Sequence, residues 1–549
     1  MIKENLINAA LGKCDADLIL KGGNVYNVFT GEVQTADIAV KDGFICGVGS
    51  YSGKNEHDVS GKYILPGFID SHMHIESSMV TPDEYAKAAM AHGVTTVIAD
   101  PHEITNVCGE DGLKFMTECA KTVPLDIHFM LPSCVPATPF EHSGAVLTAA
   151  DTQRLAKDFF GIGEMMNYPG VLAADPEVMG KLVDGKVIDG HAPLLGGREL
   201  DAYVCAGIKT DHECSLASEL QEKIGKGMYI MLREGTLSKD IEKLAPGVTP
   251  QNSRYCLFCT DDRFIGEIAE DGSIDFCIKR AVQCGIDEKA AVNMATINAA
   301  QCYGLKIGAL APSYAADILV CDSLTPDRIF EVYKGGKLAV KDGVPTFSGK
   351  TADTSAVTDS VHLDPVDESF FKCEMPPRFK AIELIPRSII TKCTYATPDM
   401  PISKVCVIER HHRTGFRGFA FVTNYGIKNA AVASSIGHDS HNITVIGDND
   451  RDMALAVNTL GKSGGFAVCQ NGEVLEYLPL EIAGLMSAKT AEEVIEVHRR
   501  LDDAAKAVSI TEGIDPFLSL AFLSLPVIPQ IRITDSGLYD VVSGQFIKQ

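Results

Sequence analysis

Eight short apolar runs, separated by stretches of helical composition, organise the middle of the chain. They show no strict alternation of apolar and polar residues, which is typical of parallel strands buried on both faces. Eight such strands alternating with helices predict a TIM (β/α)8 barrel over residues 60–307. The runs are residues 64–70, 94–99, 125–131, 160–163, 187–190, 207–210, 228–232 and 255–260.

The segments that flank this barrel share a strand-and-hairpin pattern. Residues 38–46 (IAVKDGFIC) and 332–343 (VYKGGKLAVKDG) have similar sequences, with Gly and Asp at the turns. We therefore expect residues 1–59 and 308–345 to form one small β-sandwich domain, into which the barrel is inserted. Beyond it, a polar linker over 346–372 and a C-terminal mixed α/β domain over 373–549 complete the predicted organisation.

Composition and charge narrow the possible partners. The chain has 549 residues, 46% of them hydrophobic, and a formal net charge of −24, which disfavours binding to a phosphate backbone. Its longest apolar stretch, residues 517–528, is shorter than the ~20 residues of a membrane span, and the N-terminus has no secretory signal pattern. These features predict a cytoplasmic enzyme with a small-molecule substrate and neither nucleic acid nor membrane as partner.

Polar side chains follow the predicted strands where each one ends. Barrel enzymes place their chemistry at the carboxyl ends of the strands, because side chains from distant positions converge there. The residues found at these ends are His72, His74, Asp100, His102, Glu103, Glu164, His191, Asp211, His212, Glu213, Arg233, Glu234, Asp261, Asp262 and Arg263.

Two of these residues form a His-x-His pair after the first strand. In an extended chain, residues i and i+2 project from the same face, so His72 and His74 present two imidazoles to one point. Alone the pair is weak evidence, but Glu164, His191, His212 and Asp261 end other strands of the same barrel. A mixed set of imidazoles and carboxylates favours Zn, Fe or Mn over Ca or Mg. The sequence therefore predicts a metal site at the barrel mouth.

Residues 65–79 (LPGFIDSHMHIESSM) resemble the first-strand signature of the amidohydrolase superfamily, in the form that adenine deaminases carry. Other sequence motifs resemble the same family, and the resemblance extends over nearly the whole chain. They are residues 100–104 (DPHEI), 163–170 (GEMMNYPG), 189–193 (DGHAP), 232–235 (LREG), 259–263 (CTDDR), 437–442 (GHDSHN) and 521–529 (AFLSLPVIP).

The resemblance implies a binuclear hydrolase that acts in purine salvage and adenine catabolism. Two divalent metal ions, Mn or Fe with Zn as an alternative, would generate a hydroxide that attacks C6 of adenine and releases hypoxanthine and ammonia. His72 and His74 would hold one metal with Asp261, and the other would be held by His191 and His212. Glu164 would bridge the metals where many relatives use a carboxylated lysine. A homodimer is also expected from the resemblance.

Four residues are assigned roles toward the substrate. Asp261 is expected to carry a proton from the attacking water to the leaving amine. Glu103 is predicted to act catalytically on the adenine ring, with Glu234 and Arg233 as substrate-binding residues. The alternative for both glutamates is a structural salt bridge with Arg233 or Arg263. His102 is expected to orient its neighbours.

A further histidine is predicted to reach this site from the C-terminal domain. Residues 437–442 (GHDSHN) pack two histidines and an aspartate between apolar runs. We expect this loop to lie over the barrel mouth, where His441 would help to close the pocket on adenine. A purely structural hydrogen-bond network is the alternative.

Three other functions are compatible with parts of the sequence. Single-zinc deaminases use H-x-E with P-C-x-x-C, but here Cys256 and Cys259 lack the proline and lie in an apolar run, as core cysteines do. Hydrolysis of a cyclic amide, as in dihydroorotase or hydantoinase relatives, is the alternative reaction, and the missing lysine argues against it. A scaffold without catalytic activity is disfavoured because all expected ligands are present.

Overall fold

The N-terminal segment and a later segment of the chain share one β-sheet. The computed structural model describes residues 2–548 and begins with the helix Ile2–Ala10. Strand Tyr63–Pro66 joins the two segments, because it pairs parallel with Leu18–Asn27 and antiparallel with Ile318–Cys321. The nine strands are Leu18–Asn27, Glu32–Lys41, Phe44–Gly49, Glu56–Asp58, Tyr63–Pro66, Ile318–Cys321, Ile329–Lys334, Lys337–Lys341 and Val344–Pro345.

Eight parallel strands form the predicted barrel, and each overlaps one of the apolar runs. Five of them pair in one sheet and three in another. The seams are closed by a hydrogen bond from Lys209 N to Ile188 O (2.9 Å) and by a bridge between Met73 and Asp261. The strands are Phe68–Met73, Val94–Ala99, Asp126–Leu131, Gly161–Met165, Ile188–Gly190, Thr210–Asp211, Tyr229–Arg233 and Cys256–Cys259.

The first predicted run, residues 64–70, is divided between the two sheets. Its first half belongs to strand Tyr63–Pro66, and its second half begins the barrel strand Phe68–Met73. Gly67 separates them at a point where an added Cβ would lie only 2.2 Å from Thr95 Oγ1. The close approach explains why a glycine occupies the crossing from the small sheet into the barrel.

Helices surround the barrel, and apolar side chains fill its interior. Ile69, Ile98, Met130, Met231 and Leu257 come from five strands and pack together with no exposed surface. This filled interior leaves room for a site only at the carboxyl ends of the strands. The helices are Pro82–Ala91, His102–Ala120, Ala149–Leu155, Tyr168–Leu172, Pro176–Met179, Gly197–Cys205, Ala217–Gly225, Ile241–Leu244, Ile265–Asp271, Ile274–Gln283, Glu288–Met294 and Ile297–Tyr303.

The C-terminal domain contains an eight-stranded mixed sheet and a separate three-stranded sheet. The larger sheet comprises Phe379–Leu384, Thr391–Ala396, Ile402–Ile408, Arg417–Thr423, Ala430–Ser434, Ile443–Gly447, Phe466–Gln470 and Glu473–Leu478. The smaller comprises Ile531–Thr534, Gly537–Asp540 and Gln545–Phe546, and the helices are Asp450–Leu460, Ala491–Ala507 and Leu518–Leu523. Among residues 2–548, no helix is both long and apolar enough to cross a bilayer.

The segment predicted as a linker packs against this domain. Val361 and Phe371 are buried in one of its apolar clusters, and Phe371 has no exposed surface. The domain also contacts the barrel directly. Asn442 Nδ2 donates a hydrogen bond to His142 O (2.9 Å), and Ser487 N donates one to Met79 O (2.9 Å). These contacts place the C-terminal domain over the carboxyl ends of the barrel strands.

A buried lysine supports the end of the sixth barrel strand. Lys223 Nζ lies 2.7 Å from Asp211 Oδ2, from Glu219 Oε1 and from the carbonyl oxygen of Ala192. Burial would lower the pKa of Lys223, but the carboxylates outweigh it and raise this pKa above its ordinary value. The lysine thereby fixes Asp211, which directly precedes His212.

We predict that Lys223→Met lowers the thermal midpoint of unfolding by several degrees. The substitution leaves two buried carboxylates without their cation, and breaking a buried ion pair in this way costs about 3–5 kcal/mol. Lys226→Met is the matched control, since Lys226 lies on the next turn and pairs with Asp201 at 2.7 Å near the surface. Calorimetry that finds equal shifts for both variants would contradict the role of Lys223.

Candidate metal centre

His72 and His74 converge on one point with Asp261. The two Nε2 atoms lie 3.1 Å apart, and Asp261 Oδ1 is 3.5 Å from His72 Nε2 and 3.2 Å from His74 Nε2. His74 Nδ1 donates a hydrogen bond to the carbonyl oxygen of Asp100 (2.9 Å). Such a bond fixes the ring and leaves Nε2 as the atom that can bind a metal. All three side chains are buried.

Glu164 lies between this pair and a second pair of histidines. Its Oε1 is 3.3 Å from His74 Nε2 and 3.8 Å from His72 Nε2. Its Oε2 is 2.5 Å from His191 Nδ1 and 3.3 Å from His212 Nε2. Each carboxylate oxygen therefore faces a different imidazole pair, which is the arrangement a bridging ligand needs.

The protein keeps this buried carboxylate ionised. Glu164 is 3% exposed, and its backbone N donates a hydrogen bond to Asp100 Oδ2 (2.9 Å). Burial would raise the pKa of Glu164, but the imidazoles of His191 and His212 outweigh it and hold the pKa well below its usual range. In return, Glu164 raises the pKa of His212 to about 9 against the effect of burial.

The backbone holds Asp261 in place through the seam between the first and eighth strands. Its φ of +55° lies in the left-handed region, which is uncommon for residues other than glycine. Asp261 N donates a hydrogen bond to His72 O (3.0 Å), and His74 N donates one to Asp261 O (3.4 Å). Asp70, in the first strand, also links the two strands, because it accepts a hydrogen bond from Thr260 Oγ1 at the end of the eighth (2.5 Å). The metal-facing side chains of both strands are thus fixed together.

Arg233 orients Asp261 from the opposite side. Its Nη1 donates a hydrogen bond to Asp261 Oδ2 (2.8 Å) and also contacts Glu213, while its Nη2 lies 3.2 Å from Asp240 Oδ2. Burial would raise the pKa of Asp261, but Arg233 and the two histidines hold it well below its ordinary value. The structure therefore places Arg233 in the cavity wall with its guanidinium occupied by carboxylates.

The residues present fit divalent metal ions. Ligand atoms lie within 4.8 Å of one another in His72–His74–Asp261, in His72–Glu164–His212 and in His191–His212–Glu213. Nitrogen and carboxylate donors in such sets suit Zn, Mn and Fe. His102, expected only to orient its neighbours, also belongs to a possible ligand set, with Nδ1 3.5 Å from Glu164 Oε1.

Glu103 connects the barrel to the C-terminal domain. Its Oε1 lies 2.8 Å from His438 Nδ1 and 3.4 Å from His102 Nε2, and its Oε2 contacts His441 Nε2. Burial would raise the pKa of Glu103, but these imidazoles outweigh it, led by His438, and hold the pKa well below its usual range. Its partners are therefore histidines, rather than the arginines considered as alternatives from the sequence.

The loop of residues 437–442 reaches the barrel mouth, but His441 does not line the cavity beside the metal ligands. His438 and Asp439 line it, together with Phe522 and Leu525. His441 lies behind Glu103, and its Nδ1 accepts a hydrogen bond from Gly437 N (3.3 Å). The motif pointed to the correct loop, but nothing in it distinguished one histidine from the other.

Glu234 is not brought into this cavity. Its side chain is buried, and its Oε2 has no hydrogen-bond partner among the described residues. Burial raises the pKa of Glu234, with partial compensation from Lys239 and Arg263. In place of the salt bridge considered as the alternative, Arg263 Nη1 donates a hydrogen bond to the backbone carbonyl of Glu234 (2.7 Å).

The cysteine pair of the single-zinc alternative lies in the barrel core. Cys256 and Cys259 are fully buried at the two ends of the eighth strand and pack into different apolar clusters. Burial raises the pKa of the Cys256 thiol to about 12. These side chains point to opposite faces and act as apolar core residues, as the sequence predicted.

An eight-stranded barrel with this set of histidines and acids at its mouth defines an amidohydrolase. Residues 63–349 match the family described as "Amidohydrolase family", and residues 386–545 match "Adenine deaminase C-terminal domain". The chain belongs to the adenine deaminase family. Family and site together indicate a hydrolytic enzyme that binds divalent metal and acts on a small molecule.

Full-length relatives support this assignment. The chain is 46% identical to an adenine deaminase of Clostridium acetobutylicum, with 99% of each chain covered. It is 43% identical to an adenine deaminase of Nitratidesulfovibrio vulgaris, with coverage of 99% and 98%. Among solved structures, an enamidase described as a member of the amidohydrolase superfamily aligns with a TM-score of 0.46 at 18% identity, covering 61% of this chain and all of the enamidase.

We predict that Glu164→Gln loses bound metal, because a neutral amide is a poor bridge between two cations. Glu213→Gln is the matched control, since Glu213 also faces His191 and His212 but is paired with Arg233. Elemental analysis after dialysis is expected to find metal depleted in the first variant and largely retained in the second. The reverse order would assign the bridging position to Glu213.

Proposed function

We propose that this enzyme hydrolyses adenine to hypoxanthine and ammonia in the cavity between the barrel and the C-terminal domain. The observation that carries the proposal is the position of Glu164, whose two oxygens face separate imidazole pairs. The full-length relatives named as adenine deaminases support this choice of substrate. The dihydroorotase or hydantoinase alternative lacks comparable support, because a glutamate replaces the bridging lysine.

Six residues would hold two divalent ions, with Mn or Fe preferred and Zn as an alternative. His72, His74 and Asp261 would form one set, His191 and His212 the other, and Glu164 would join them. When bound, the two ions would lower the pKa of water and so supply a nucleophile near neutral pH.

Asp261 is the proton carrier in this proposal. Arg233 binds Oδ2 and keeps the carboxylate ionised, so Oδ1 faces the reaction space as a proton acceptor. Hydrolysis requires one proton to leave the attacking water and one to reach the exocyclic amine before ammonia departs. A single group within hydrogen-bond reach of both atoms can perform both transfers.

The C-terminal domain supplies the groups that would hold the adenine ring. Glu103 binds His438 Nδ1 at 2.8 Å, which leaves Nε2 to interact with a ring nitrogen. Phe522, Leu525 and Ile528 line the same cavity and would cover the apolar faces of the base. In this arrangement Glu103 acts on the substrate through His438, which differs from the direct contact that the sequence suggested.

The remaining expectations stay predictions. They are a homodimer, a cytoplasmic location, a place in purine salvage and the order of preference among Mn, Fe and Zn.

An assay with two substrates tests the proposed reaction. The purified enzyme is supplied with adenine, and conversion to hypoxanthine is followed by ultraviolet absorbance and by ammonia release. Ring opening of a dihydropyrimidine is measured in parallel. The expected result is ammonia release from adenine without ring opening of the dihydropyrimidine. Ring opening without deamination would favour the cyclic-amide alternative.

We predict that Asp261→Asn lowers turnover by about 10²-fold or more, which is the usual effect of losing a positioned acid-base group. The amide keeps the shape of the side chain but cannot carry the proton. Turnover is measured with and without saturating Mn²⁺, and adenine binding is measured separately. Full rescue by metal would show that Asp261 is only a ligand.

We also predict that His438→Gln reduces kcat/KM for adenine by about 10-fold or more, since a lost hydrogen bond to a bound base costs at least this much in a desolvated site. Metal content is expected to stay unchanged, because His438 lies beyond the imidazoles that face Glu164. His412→Gln is the control, as His412 bonds across the domain interface to Ser143 O (3.0 Å), outside the cavity. Equal losses in both variants would indicate a docking role alone.

A further inference from the structure

A second cavity adjoins the metal cavity on the side of helix Ala491–Ala507. Asp262 and His438 line both cavities, so these two side chains form the boundary between them. The free volume is about 340 Å³ in the second cavity and about 40 Å³ beside the metal ligands. The second cavity therefore has room for a purine base beside the metal site.

Five rings line this second cavity, those of Phe264, Phe466, Phe517, His438 and His498. Phe264 packs against His498 in a tilted arrangement, with ring centroids 4.1 Å apart and an interplanar angle of 32°. Phe466 and Phe517 lie 4.9 Å apart on the C-terminal domain, and Phe517 is 6.0 Å from His498. Flat apolar faces of this kind bind nucleobases by stacking, because every base presents a π-face.

The charges of the cavity wall favour a neutral ligand. Asp262, Glu267, Glu270, Asp502 and Asp515 line this cavity, and Arg499 is the one arginine or lysine among its described lining residues. The chain as a whole carries a net charge of −24. A phosphate group would therefore be repelled, whereas a free base carries no charge that the opening would oppose.

A different cavity also adjoins the metal site, at Ile389 and Phe522. Its wall contains Lys239, Lys243 and Arg387, and Phe522 is its only aromatic residue among the described part of the chain. With a single aromatic ring, this cavity offers a planar base less stacking surface than the second cavity does. The aromatic cavity is therefore the better match to the substrate.

We propose that the aromatic cavity, bounded by Phe264, Phe466, Phe517 and His498, is an antechamber that binds the free purine base before it passes Asp262 and His438 to the metal site. This inference rests on the proposed function, since it takes adenine as the substrate. It adds a binding site outside the catalytic cavity and a reason to prefer bases over nucleotides.

Tryptophan fluorescence can test the antechamber directly, because the chain contains no tryptophan. Phe264→Trp introduces a single fluorophore into its wall, and rapid mixing with adenine is expected to quench the emission before turnover begins. Phe160→Trp is the matched control, since the ring of Phe160 also packs against a histidine, His128, at 4.5 Å but precedes the fourth barrel strand at the opposite end of the barrel. Adenosine monophosphate is expected to quench neither variant.

Kinetics provide the second readout. Phe264→Ala is expected to raise KM for adenine about fivefold or more through loss of stacking, with kcat changed less than about twofold because Phe264 does not line the cavity beside the metal-facing residues. Unchanged KM together with no quenching in Phe264→Trp would overturn the antechamber. Leu237 lines the cavity that contains Lys239, Lys243 and Arg387. Quenching of Leu237→Trp instead would also overturn the antechamber and assign entry to that side. Either result would leave adenine deamination by the unmodified enzyme intact. Failure of the antechamber is therefore distinguishable from failure of the proposed function.

Discussion

The charge of Glu164 is the feature around which the site is arranged. A carboxylate that is 3% exposed is costly to bury alone, and the imidazoles on its two sides make the burial possible. The same arrangement fixes the spacing of the histidines, since His74 approaches one oxygen and His191 the other. Those histidines come from different barrel strands, so closure of the barrel and formation of the site depend on each other.

A second buried acid links the catalytic barrel to the C-terminal domain. Glu103 lies in the first turn of a barrel helix, yet its strongest partners, His438 and His441, come from a loop more than 330 residues later in the chain. Removing that domain would leave Glu103 without these imidazoles and would remove His438 and Phe522 from the cavity wall. The barrel therefore supplies the residues of the proposed metal site, while the domain supplies much of the cavity wall beside them.

The sequence predicted best what depends on local geometry. Each metal-facing residue ends a barrel strand, and a strand's carboxyl end has one position in a barrel, so His72, Glu164 and His212 could be placed without coordinates. It failed where contacts depend on side-chain direction or on domain docking. Glu234 follows a strand but does not line the cavity, and His438 rather than His441 lines the wall. Hydrophobic pattern and motif spacing carry no information on either choice.

In the proposed binuclear centre, Glu164 joins two metal ions held by separate histidine pairs. Anomalous X-ray scattering from crystals of the Mn-loaded enzyme, recorded on both sides of the Mn absorption edge, tests it most directly. Two anomalous peaks are expected, one between Glu164 and the pair His72–His74 and one between Glu164 and the pair His191–His212. A single peak in fully active enzyme, or two peaks that do not share Glu164, would contradict it.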